Sequence, residues 1–165
     1  MKANLELTLI TREVHYCFVR KVKDKRYLIP AIQHRINRLM NTSQQNNEQA
    51  TLLLKEFKGK ITELTDHFIA ETTRFKELLQ QKALFHNKPI HFIGQFRKKM
   101  ILENELSPLL AYFLECYDRL VAILKLLHLA GCFNSEKDFK HTLNNYHKMA
   151  NHLFCFLLFT PAISQ

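Results

Sequence analysis

Glycine and proline are scarce, three and four among 165 residues. Sandwiches and barrels need a turn every few residues, so this shortage argues against them and for long helices with few connections. Gly59, Gly94 and Gly131 each stand more than thirty residues apart. A phosphate-cradling loop needs several glycines close together, which excludes the nucleotide-binding signatures built on such a loop. Cys17, Cys116, Cys132 and Cys155 are widely scattered, with no paired spacing that suggests zinc or a disulfide framework. A reduced, cytoplasmic chain is the resulting expectation. No signal peptide is expected, because the apolar stretch in MKANLELTLITRE is too short and is broken by Glu6. The most apolar segment, residues 109–133, carries Glu115, Asp118, Arg119 and Lys125. Those charges predict a buried core helix and not a membrane span.

What is present is apolar and basic. With 47% hydrophobic residues, the chain can bury a core of ordinary size in one compact domain, or in a small domain with an appendage. The net charge of +9 is unevenly spread: residues 1–40 carry +6, residues 41–100 carry +4 and residues 101–165 carry −1. Such asymmetry suggests a polyanion-binding end and a structural end, although a solvated basic surface with no partner gives the same count.

The opening LELTLITREVHYCFVRKV, residues 5–22, changes period within itself. Leu5, Leu7 and Leu9 alternate with Glu6, Thr8 and Ile10, as in a strand, whereas Val14, Cys17, Phe18 and Val22 recur as on a helix. The first helix is expected over 11–22 and a second over 28–40, with Ile29, Ile32, Ile36 and Leu39 on one stripe and Pro30 in the first turn. KDKRY, residues 23–27, is the turn between them. The all-polar NTSQQNN, residues 41–47, marks a boundary between segments 1–41 and 48–165. A long helix over 48–84 follows, striped by Leu53, Phe57, Ile61, Leu64, Phe68, Phe75 and Leu79, with Gly59 as a weak point. PIHFIGQF, residues 89–96, reads as a short extended piece followed by Arg97, Lys98 and Lys99. Ser107-Pro108 opens a further helix that Gly131 ends, and Ser135 with Asp138 caps a last one closing near Phe159. No internal repeat is apparent. The fold class is mainly α, with a strand at the start and one further extended segment.

Catalytic and metal chemistry find little footing. His152 and Cys155 lie one helical turn apart with His147 nearby, but no second ligand pair completes a metal site, and packing into a core accounts for them. Glu115 and Asp118 are neighbours on one helix; such residues more often pair with Arg119, Lys125 or a facing helix than do acid–base work. No enzyme, cofactor or small-molecule substrate is expected.

A strand followed by two short helices is the ribbon-helix-helix plan, in which two chains pair their strands and the ribbon enters the DNA major groove. A second chain would satisfy the backbone of a strand that has no evident partner. Two registers are open. With the leucines inward, the preferred choice, Asn4, Glu6 and Thr8 face base edges; in the opposite register the leucines face outward. Arg12, Lys21, Lys23, Lys25 and Arg26 are the candidate phosphate contacts. PIHFIGQF with Arg97, Lys98 and Lys99 is the rival ribbon, since it too precedes two helices.

TREVHYCFVRKV resembles the strand-to-helix junction of Arc-type repressors. More broadly, LTLITR resembles the opening LTL-x-TR pattern of an AcaB-like family encoded by integrating conjugative elements and conjugative plasmids. PIHFIGQF and LSPLLAYFLECYDRLVAILKLLHLAG resemble that family's strand-like segment, turn and Tyr-rich helix, with Tyr112, Tyr117, Asp118, Leu120, Val121 and His128 at matching positions. The ending FTPAIS resembles its closing segment, with Pro161 where the family has Arg; the family's middle Asp-Pro-Tyr stretch is missing. The resemblance implies a ribbon-helix-helix regulator of transfer genes. The expectation is therefore a cytoplasmic transcriptional regulator, an activator by resemblance, binding double-stranded DNA as a homodimer or higher oligomer. The alternative is a helical protein–protein module of a conjugation or DNA-processing complex.

Overall fold

A computed structural model describes residues 1–23 and 25–161. The chain is mainly helical, with one two-stranded antiparallel sheet. Its elements are β1 (Ala3–Leu9), α1 (Arg12–Val19), α2 (Leu28–Ser43), α3 (Glu48–Gln80), β2 (Phe96–Leu102), α4 (Leu106–Leu129) and α5 (Glu136–Phe159). The Ala162-Ile163-Ser164 end of FTPAIS lies outside the described residues.

The partner of β1 is β2 of the same chain, with Glu6 opposite Lys99 at the centre, Ala3 opposite Leu102 and Leu9 opposite Phe96. This overturns the premise that β1 needs a second chain. It also moves the second strand: β2 begins where PIHFIGQF ends, and Arg97, Lys98 and Lys99 are strand residues. Only the backbone amide of Gln95 extends the ladder upstream, donating to the carbonyl of Leu9 at 2.9 Å. Three consecutive cations make a poor strand on propensity alone; pairing and the burial of Met100, 1% exposed, override that preference.

The leucines point inward. Leu7 and Leu9 are fully buried and Leu5 is half-buried against the core, while Asn4, Glu6 and Thr8 are exposed. Beneath the sheet, α4 touches both strands, and α1 touches β2 and α4. The helix α3, 33 residues or about 50 Å long, packs along α4 and α2 and carries the chain back to the second strand. Its expected stripe is buried except for half-buried Leu64, and Gly59 leaves the helix unbroken. Buried residues on both sides of the polar 41–47 stretch belong to one core cluster.

Helix ends follow local chemistry. Thr11, Asn47 and Ser135 cap α1, α3 and α5, each side-chain oxygen accepting from the amide three residues on. At the end of α4, Gly131 takes φ 73°, its N–H donates to the His128 carbonyl and that of Cys132 to the Leu127 carbonyl, the paired bonds of a Schellman end. Two helices stop earlier than periodicity predicts. The first ends at Val19 because Arg20 is extended and Lys21 bridges to Tyr27, closing a turn in which Lys25 has φ 64°. The long helix ends at Gln80 and yields to turns up to Asn87, φ 54°, ahead of Pro89.

Candidate nucleic-acid interface

Alternation along the two strands divides the ribbon into two faces. The inner face carries Leu5, Leu7, Leu9, Phe96, Lys98, Met100 and Leu102, each half-buried or buried. The outer face carries Asn4, Glu6 and Thr8 from β1 and Arg97, Lys99 and Ile101 from β2, all exposed. The first candidate strand and the cations that follow PIHFIGQF thus belong to one ribbon, and their outward residues share one surface. Lys98 does not belong to it: it sits opposite Leu7 on the inner face, near His15, whose ring stacks on Phe96 at 4.3 Å. Partial burial and the Lys98 ammonium both hold the His15 imidazole below its ordinary pKa.

Three rows cross the outer face. Asn4 lies opposite Ile101, Glu6 opposite Lys99, and Thr8 opposite Arg97. Gly94 packs so closely on the methyl of Thr8 that a Cβ there would overlap it, which fixes how the upstream loop leaves the ribbon. Arg12 is exposed at the start of α1, three residues past the strand end beside Thr8 and Arg97. Lys21, Lys23, Lys25 and Arg26 are exposed in the α1–α2 turn, separated from the strand by the eight residues of α1, about 12 Å of rise. The Lys21 ammonium lies 5.6 Å from the centre of the Tyr27 ring. At the opposite end the ribbon runs into Glu103, whose carboxylate pairs with Lys2 at 3.1 Å, and exposed Glu105.

The junction behind the ribbon is pinned by a residue from far along the chain. One Asp118 carboxylate oxygen accepts from the Ile10 N–H at 2.7 Å; the other accepts from the Thr11 N–H at 2.9 Å and the Thr11 hydroxyl at 2.6 Å. Asp118 is 2% exposed. Burial pushes its carboxyl above the ordinary range, and the three donors oppose that push. It is therefore the anchor that aims β1 into α1. Glu115 stands apart from it, with Arg119 at 4.0 Å.

Other polar groups lie behind the sheet, between α1, α4 and α5. Glu13 pairs through Oε1 with Lys125 at 2.7 Å, while its Oε2 is buried without a hydrogen-bond partner among the described residues. Tyr117 and His147 hydrogen-bond through the phenol and Nδ1. Burial holds His147 below its ordinary pKa and raises Tyr117. Periodicity alone gave no signal for Asp118 or Glu13, because their partners lie more than a hundred residues away in the chain.

His152 and exposed Cys155 do not join His147; His152 instead lines a groove of about 490 Å³ between α3 and α5 with Lys60, Glu63, His67 and Phe156. Among the described residues no group of three metal-ligating side chains converges, all four cysteines are free, and no helix is long and apolar enough to cross a membrane. No protein-family profile, curated protein or solved structure matches the chain.

Proposed function

We propose that this chain is a non-enzymatic DNA-binding transcriptional regulator that acts in the cytoplasm and inserts its β1–β2 ribbon into the major groove. The observation that carries the reading is the ribbon's outer face, a two-stranded surface on which five of six exposed side chains are polar or charged and Ile101 is aliphatic, backed by a packed core. A two-stranded ribbon fits the major groove, and Asn, Arg, Lys, Thr and Glu side chains are the types that hydrogen-bond base edges there. Arg12 and the Lys21–Arg26 turn supply cations for phosphates. The resemblance of LTLITR and of the Asp118 helix to the AcaB-like regulators points the same way and suggests promoters of conjugative or mobile elements as targets. Thr11 and Asp118, one from each of those two segments, are hydrogen-bonded to each other.

The test is a gel shift of the full chain against DNA upstream of its own gene cluster, repeated across a salt series. Binding should weaken steeply with salt. Replacing Lys23, Lys25 and Arg26 with Ala should lower affinity about equally for all sequences and reduce the salt slope by roughly one per lost phosphate contact. No salt-dependent shift on any duplex would leave the α3–α5 groove, and with it a protein–protein module, as the better reading.

A further inference from the structure

The chain repeats one topological unit without repeating its sequence. β1 is followed by α1 and α2, and β2 by α4 and α5, with α3 joining the two halves. The strands are seven residues each and pair antiparallel about a central Glu6–Lys99 pair. Corresponding elements meet as a twofold arrangement requires: α1 reaches β2 while α4 reaches β1, α1 touches α4, and α2 touches α5. Each strand turns into its helix over a short capped junction. Thr11 caps the first, and in the second the Asn104 side chain accepts from the amides of Leu106 and Ser107 at 2.9 and 3.0 Å. The helices differ in length, 8 and 16 residues against 24 and 24, so the likeness lies in order and pairing.

Resting on the DNA-binding reading, we infer that one chain supplies both halves of a ribbon-helix-helix reader and recognises a single non-palindromic duplex site. In a twofold ribbon, positions the same number of steps from the strand start are equivalent. Here Asn4 corresponds to Arg97, Glu6 to Lys99 and Thr8 to Ile101. A homodimer would place identical side chains at each such pair and read the same bases on both sides of a dyad. This ribbon places an amide against a guanidinium, a carboxylate against an ammonium, and a hydroxyl against an aliphatic group. Arg97 suits the O6 and N7 acceptors of guanine, Asn4 suits adenine, Glu6 accepts from cytosine N4, and Ile101 suits a thymine methyl. The flanks reinforce the polarity, with Arg12 beyond the Thr8–Arg97 row and the Lys2–Glu103 ion pair and Glu105 beyond the Asn4–Ile101 row. Phosphate attraction is therefore stronger on the Arg12 side, and the ribbon should enter the groove in one orientation.

The experiment is selection of bound duplexes from a random-sequence pool by the full-length protein, followed by mass photometry of the enriched duplex. One chain per site and a motif without dyad symmetry are expected. Arg97→Ala should weaken binding to that duplex by roughly five- to 150-fold and erase preference at one end of the motif only. Asn4→Arg places a guanidinium at both equivalent positions while Thr8 and Ile101 still differ, and reselection with it should yield a more symmetric motif with guanine preferred at both ends. Both variants change exposed side chains, and circular dichroism checks that they fold. A palindrome bound by two chains overturns the inference and leaves DNA binding standing. Salt-sensitive binding with no sequence preference overturns base reading by this ribbon alone. No enriched duplex and no salt-sensitive binding by the folded protein removes the DNA-binding reading, and the inference with it.

Discussion

Asp118 shows how much one buried carboxylate can organise. It closes three hydrogen bonds on the two residues between β1 and α1, so strand direction and helix start are fixed together. Asp118→Asn replaces one acceptor oxygen with a donor facing backbone N–H groups, leaving at least one unsatisfied. A loss of about 2–3 kcal/mol is expected in urea unfolding, with DNA affinity falling as well. His147 gives a pH-dependent counterpart. Its folded pKa lies below the ordinary value because it is half-buried, so below about pH 6.5 the unfolded chain takes up the proton first. Stability should therefore drop as pH falls from 7.5 to 5.5. The drop should be smaller in His147→Gln, measured by urea midpoints at both pH values. The role of Asp118 was only half legible in the sequence. Its place in the Tyr-rich helix pattern marked it, but no local spacing links position 118 to position 11, and a lone Asp on an apolar helix reads equally as an ion pair.

Elements with strong local signals were the legible ones. Ser135 and Gly131 sit where their chemistry requires them, and the stripes of α2 and α3 face the core, because capping and periodicity are properties of a few consecutive residues. β2 was misplaced for the converse reason. The apolar alternation of PIHFIGQF imitates a strand, whereas FRKKMIL becomes one only when β1 lies beside it. The C-terminal end of α5 is another element finished by a distant residue. The Arg35 guanidinium donates to the Leu157 carbonyl at 2.8 Å and also bonds the Thr160 carbonyl, while lying 5.5 Å from the centre of the Phe57 ring. It supplies donors and positive charge where a helix presents unpaired carbonyls. Arg35→Met keeps much of the packing and removes the donors. It should cost about 1–3 kcal/mol and accelerate amide exchange over the last turn of α5, with the middle of α4 unaffected.

On the scale of the molecule, the sheet joins the first residues of the chain to residues 96–102. Deleting residues 1–10 removes the partner of β2, buried Leu7 and Leu9, and one of the donors to Asp118. Loss of cooperative unfolding is expected, seen as a broadened, low-midpoint melt by circular dichroism. A sharp native-like melt would show that the ribbon is an accessory to the helical core. The basic residues of the α1–α2 turn are exposed, but total charge and its N-terminal bias could not show that β1 and β2 share one surface, since that depends on closure across the fold. The same closure bears on how the protein is made. Paired residues of the sheet are 87 to 99 positions apart, so β1 leaves the ribosome long before its partner exists. At translation rates of about 5–20 residues per second the wait is on the order of 5–20 s, during which an alternating-leucine strand is open to foreign strands. Lys2 flanks that stretch and Glu6 interrupts it with charge, the placement by which nascent strands resist aggregation. Glu6 thus guards the newborn chain at the position that later stands at the centre of the folded ribbon.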